Sequence, residues 1–128
     1  GAFNFSGKIN YINIGTTIDT IINTSQQFTF SAWINPTNIA GAKYIIDLGG
    51  TGGNKSALYL NSANMRIEVT NSTASQTLTG NNQLTANLWT HVVGTYNGSE
   101  ISLYENGVFD KSLSVGIINI LHSTNVKL

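Results

Sequence analysis

Cysteine is absent from the 128-residue chain, which removes a disulfide framework, a thiolate metal site and a cysteine nucleophile at once. Charge is scarce: 9% of residues are charged, against about 25% in an ordinary domain. Six Lys and Arg balance six Asp and Glu, for a formal net charge of zero. No run of like charge occurs, so nucleic acid is not an expected partner, because phosphate neutralisation needs clustered Lys and Arg. No apolar run approaches the roughly 18 residues that a membrane span requires, so no membrane insertion is expected. No leader is visible either, since Gly1-Ala2-Phe3-Asn4-Phe5 already reads as a strand. The chain is expected to be a mature form or an excised domain.

Asn, Ser, Thr and Gly stand where the charges are missing, while 41% of residues are hydrophobic. That content excludes disorder and suits one domain, residues 1–128, burying roughly two-thirds of its unfolded surface. The organising stretch is Phe28-Thr29-Phe30-Ser31-Ala32-Trp33-Ile34-Asn35. Side chains along a strand alternate between faces, so Phe28, Phe30, Ala32 and Ile34 form an apolar face. The opposite face is polar but carries the Trp33 indole. Pro36, the only proline, ends the run. This pattern predicts a central strand of a sandwich.

Shorter strands are expected before and after it. Ala2–Phe5 and Tyr11–Ile14 alternate, and Ile18, Ile21 and Ile22 allow one helical turn at most. Tyr44–Leu48, Ala57–Leu60 and Met65–Val69 read as strands, the last two joined across Asn61 to Asn64. Thr77–Thr79, Leu88–Tyr96, Ile101–Glu105, Val108–Phe109, Lys111–Val115 and Asn125–Leu128 follow. Asn97-Gly98 and Asn106-Gly107 predict tight hairpin turns, since both central residues of such a turn need positive φ. Short strands at this spacing predict an all-β, antiparallel sandwich.

The chemistry that composition allows is narrow. The glycine-rich loop Gly49–Asn54 runs into Lys55-Ser56, but Asn54 stands where a P-loop needs glycine before its lysine and no helix-forming segment follows, so it reads as a surface connection rather than a phosphate cradle. The six acids, Asp19, Asp47, Glu68, Glu100, Glu105 and Asp110, are scattered. No two lie two apart on one strand, so no glycosidase carboxylate pair is predicted. Glu105 and Asp110 read as solvated hairpin ends. His91 and His122 lack flanking acids at metal-ligand spacing; His91, in phase with Trp89 and Val93, is expected to be half-buried and hydrogen-bonded. The aromatic rings, Trp33 and Trp89 foremost, could stack on sugars, but sandwiches usually pack such rings in the core or on a sheet face. Ligand contact is expected at the loop ends, Asn35–Ala42 and Gly49–Lys55. Sequons at Asn4, Asn23, Asn54, Asn71 and Asn97 are close to what chance gives in a chain this rich in Asn, Ser and Thr, and do not establish glycosylation.

Phe28-Thr29-Phe30-Ser31-Ala32-Trp33-Ile34-Asn35-Pro36, Trp89-Thr90-His91-Val92-Val93-Gly94-Thr95-Tyr96-Asn97-Gly98 and Leu103-Tyr104-Glu105-Asn106-Gly107 resemble the laminin-G-like, concanavalin A-like lectin/glucanase family. Ala2-Phe3-Asn4-Phe5-Ser6-Gly7 resembles its first strand. The resemblance implies an antiparallel jelly-roll β-sandwich, also seen in pentraxins. It leaves function open, because the fold carries lectins, adhesion modules, glycosidases and spacers. Glu105 departs from the family's apolar residue before Asn-Gly, as if that strand end were open to water. The family also continues past the point matching Leu128 with a Gly-rich loop and a final strand pairing near the first one. By that comparison residues 1–128 are an incomplete domain whose open edge favours self-association.

In related pentraxins a calcium ligand precedes the strand matching Ala57–Leu60. The resemblance therefore makes calcium a possible cofactor and Asn54 the candidate metal ligand, although calcium takes six to eight oxygens and one Asn supplies one. The expected function is a non-catalytic recognition module for a glycan or surface ligand. It would act in adhesion within an extracellular, cell-surface or virion protein. The rival is a structural assembly domain of a fibre, sheath or capsid, without a small ligand.

Overall fold

Alternation of buried and exposed residues shapes most of the molecule. The computed structural model describes residues 1–5, 10–15, 17–49 and 53–122. Within them one helix, Thr17–Ser25 (α1), precedes strands Phe28–Ile34 (β1), Ala42–Gly49 (β2), Lys55–Asn61 (β3) and Asn64–Thr70 (β4). Strands Ser75–Gln83 (β5), Thr90–Tyr96 (β6), Glu100–Glu105 (β7) and Val108–Ser114 (β8) follow. They form two four-stranded sheets, in the orders β1-β6-β7-β8 and β2-β3-β4-β5. Every pair is antiparallel. The fold is an all-β jelly-roll sandwich.

The core lies where the apolar faces meet. Phe28 and Phe30 stack at 4.3 Å between centroids, and Ala32 and Ile34 pack behind them, as the alternation in β1 predicts. Leu58 and Leu60 of β3 and Met65, Ile67 and Val69 of β4 supply the opposite side. Gly94 in β6 is a packing requirement: a Cβ there would come within 2.9 Å of Leu58 and 3.0 Å of Ile67. The bare backbone lets the sheets approach.

Several expectations are corrected. β1 stands at the edge of its sheet among the described residues, not in its centre. Ala2–Phe5 forms no strand, with Phe3 80% exposed, because alternation alone supplies no ladder partner. Tyr11–Ile14 is reduced to a bridge at Asn13. The helix has nine residues rather than one turn: burial of Ile22 in the core outweighs the few tenths of a kcal/mol that β-branched residues cost. Asn106 and Gly107 do take positive φ (49° and 79°). At Asn97-Gly98 only the glycine does. There the Asn97 side chain accepts bonds from the Ser99 and Glu100 amides, closing a longer loop. Ser6-Gly7, Gly50–Thr51–Gly52 and Asn125–Leu128 lie outside the described residues.

A segment outside both sheets seals one end. Residues 115–122 form no strand or helix, with Ile118 and Ile120 in the core. Side chains take the place of a neighbouring strand. Gln26 accepts from the Ile120 amide (2.7 Å) and donates to its carbonyl (2.9 Å). Asn23 does the same for His122, both at 2.8 Å. The Tyr96 hydroxyl accepts from the Ile118 amide at 2.9 Å. Gln26 follows α1 with φ of 56°, a left-handed position usually given to glycine; its amide is what the segment uses.

Two outcomes follow from this packing. Phe30→Ala should lose about 3–5 kcal/mol through transfer energy and cavity formation. Thr29→Ala, on the exposed side, should lose less than about 1 kcal/mol. Equal losses in denaturant unfolding would contradict the assigned strand phase. His122 is buried, and that burial lowers its pKa from 6.5 to about 4. On acidification the unfolded chain therefore binds the proton first. Stability from the neutral ring is complete above pH 6.5 and disappears between about 6.5 and 4, by about 3 kcal/mol. Burial raises the Asp19 carboxyl, so its protonation favours the folded chain and works against that loss. Comparison with His122→Phe isolates the histidine: the wild type should lose more stability from pH 7 to 4 than the variant, and equal losses would refute it.

Candidate functional site

The outer face of the β2-β3-β4-β5 sheet is built from residues that share strand phase. Register places Tyr44, Tyr59, Arg66 and Thr79 in one row and Asp47, Ala57, Glu68 and Thr77 in the next. Gly49, Lys55, Thr70 and Ser75 form a third. A bulge between Tyr44 and Ile46 keeps Tyr44 and Asp47 on the same side. The third row opens into a groove of about 440 Å³ lined by Gly49, Gly53, Asn54, Lys55, Glu68, Thr70, Asn71 and Ser75.

Lys55 ties the rows together. Its ammonium donates to the Tyr44 hydroxyl at 2.8 Å, lies 4.1 Å from that ring's centroid and pairs with Glu68 at 3.5 Å. Burial alone would lower its pKa, but the Tyr44 hydroxyl and the Glu68 and Asp47 carboxylates more than offset this, so it lies above the ordinary value. Tyr44 is 48% exposed and rests on buried Tyr59, ring centroids 5.0 Å apart and nearly parallel. Ala57, fully buried, leaves a low floor between Asp47 and Glu68. The surface thus offers the exposed Tyr44 ring, two cations, Lys55 paired with Glu68 and Arg66 beside Tyr59, and many neutral hydrogen-bonding groups.

The loop expected to carry contacts, Gly49–Lys55, does border the groove; Asn35–Ala42 does not. Asn54 lines the groove wall. As a donor set for calcium the groove is thin. Glu68 is its one carboxylate and already faces Lys55, and no group of three His, Cys, Asp or Glu occurs among the described residues. Sequence reading missed the Asp47–Lys55–Glu68 cluster because its members meet across strands, whereas spacing was read within strands. The common phase of Lys55, Ala57 and Tyr59 was the signal available.

Other expected residues sit elsewhere. His91 is half-buried and bonded through Nε2 to the Ser31 hydroxyl at 2.8 Å, and its ring stacks on Trp33 at 5.2 Å. Trp33 and Trp89 are not core residues: they are 64% and 50% exposed. Glu105 is half-buried rather than fully open to water. Its Oε1 is buried without a partner, and burial followed by the Asp110 charge raises its pKa. Asp110 is not a solvated hairpin end either; its carboxylate accepts from the Asn81 amide of β5 at 3.0 Å and clasps the two sheets.

Comparison with known proteins places this architecture. The sequence matches the family described as the concanavalin A-like lectin/glucanases superfamily over residues 6–126. No curated protein is similar to it in sequence. Among solved structures, domains LG4-5 of the mouse laminin alpha1 chain superpose with a TM-score of 0.67 at 14% identity, covering 80% of this chain and 28% of that one. The Ruminococcus gnavus IT-sialidase CBM40 bound to alpha2,3 sialyllactose gives 0.71 at 16% identity, covering 95% and 80%. A botulinum neurotoxin type C structure, from work on cell entry dependent on two ganglioside molecules, gives 0.72 at 16% identity, covering 92% and 31%. The chain thus spans under a third of the laminin and toxin structures, and these likenesses concern fold.

Proposed function

Because the chain belongs to the concanavalin A-like lectin/glucanases superfamily, we propose that it is a non-catalytic module that binds a glycan on the outer face of the β2-β3-β4-β5 sheet. The observation that carries this reading is the groove at Asn54 and Lys55 beside the exposed Tyr44 ring. A sugar ring stacks on Tyr44, and its hydroxyls meet Asn54, Thr70, Asn71, Ser75 and the Lys55–Glu68 pair. The sialyllactose bound by the CBM40 structure and the gangliosides named for the neurotoxin support testing sialylated and neutral glycans alike. The proposed setting is adhesion by a secreted, cell-surface or virion protein.

A second reading, self-association as an assembly domain, draws on apolar side chains turned to solvent, Phe3, Ile117 and Leu121. Sedimentation without sugar separates the two: a monomer fits the module, a concentration-dependent oligomer the assembly domain.

A glycan array followed by calorimetry tests the binding reading. A hit should bind about tenfold more weakly to Tyr44→Ala and to Asn54→Ala, roughly 1.4 kcal/mol each, without release of reducing sugar. Measuring with calcium and with chelator tests the proposed metal at Asn54. An array without hits, or variants that bind like wild type, would overturn the site; turnover lost in Glu68→Gln would overturn the non-catalytic assignment.

A further inference from the structure

The opposite sheet carries a second feature that the groove does not use. On the outer face of β1-β6-β7-β8, Trp33 pairs in register with His91, and Ser31, Val93, Tyr104 and Phe109 form the adjoining row. The indole is 64% exposed yet held. It stacks on His91 with 30° between the planes, and the Ser31 hydroxyl bonds the imidazole. Asn106 fixes the backbone beneath, accepting from the His91 amide through its side chain and donating its own amide to the His91 carbonyl. Tyr104 and Phe109 meet edge to face at 5.6 Å, with Phe109 largely exposed.

We infer that this face is a second carbohydrate-binding surface, for an extended neutral glycan whose flat sugar rings stack on Trp33 and on the Tyr104–Phe109 pair. Charge favours that ligand: the carboxylate on this face, Glu100, lies at the far end of the sheet from Trp33, beside Ser102. Spacing agrees with it. Trp33 and Tyr104 stand two strands and one row apart, roughly 12 Å between backbones, on the order of a disaccharide repeat. An anchored ring also loses little side-chain freedom on binding, which lowers the entropic cost of stacking. An apolar protein partner would gain less, because hydroxyls of Ser31, Thr95 and Ser112 interrupt the aromatic area.

Trp33 is its own reporter. Titrating cellohexaose should change the intrinsic tryptophan fluorescence, and hydroxyethylcellulose in a native gel should retard the protein. Trp33→Ala should weaken binding at least tenfold, and Trp33→Phe should retain most of it. Asn54→Ala, which impairs the groove, should leave cellohexaose binding as in wild type, so failure of one site is distinguishable from failure of the other. No retardation and no spectral change with cellohexaose would overturn the inference, as would equal binding by wild type and Trp33→Ala. Association of the sugar-free protein that disappears in Trp33→Ala would also overturn it, assigning the face to a second copy of the chain.

Discussion

The contact of Leu58 and Ile67 with the bare backbone of Gly94 is the constraint on which the remaining structure depends. Both sheets commit their apolar sides to it, and strand alternation then decides what is left. Each strand has only its outer positions available for recognition. The groove at Asn54–Lys55 and the Trp33–His91 stack are therefore products of the same packing, seen from opposite sides. Their positions are as rigid as the core beneath them, because a side chain on a ladder moves only with its strand. Recognition surfaces supported in this way need little reorganisation on binding.

How much of this was readable in the sequence depends on the range of the interaction. The faces of β1 were readable because alternation is local: Phe28, Phe30, Ala32 and Ile34 are two residues apart and all face the core. The hairpin at Asn106-Gly107 was readable for the same reason. The edge position of β1 was not, since strand order is a matter of which distant segments pair. The helix was underestimated because Ile22 gains its stabilisation from the tertiary core, which propensity does not count. The tip at Ser62-Ala63 also escaped notice: both residues hold positive φ without glycine. Bonds from their amides to the Gly41 and Ile39 carbonyls hold them there.

Site residues followed the same rule. Gly49–Lys55 was recognisable as a loop because glycine and asparagine mark loops locally, and its described residues border the groove. The Asp47–Lys55–Glu68 cluster required the register of three strands. Trp33 and Trp89 were expected in the core or on a sheet face; Trp33 takes the second place, stacked on His91 at the outer face of β1, which leaves it exposed. Glu105 and Asp110 illustrate the converse. Charge suggested solvent, but the second sheet covers one end of the β7-β8 hairpin and turns Asp110 into a clasp for Asn81.

The segment at residues 115–122 gives the molecule an unusual boundary. Val115 and Gly116 donate to the Ser99 carbonyl; beyond them Ile118, Ile120 and His122 hand their backbone groups to Tyr96, Gln26 and Asn23. In deuterated water such a segment is neither a strand nor a loop. The amides of Ile118, Ile120 and His122, in buried residues, are shielded as ladder amides are, while those of the exposed Ile117, Asn119 and Leu121 should exchange faster. Isotope uptake from Ile117 to His122 then alternates residue by residue, a two-residue rhythm written by the side chains of Asn23, Gln26 and Tyr96 rather than by a neighbouring strand.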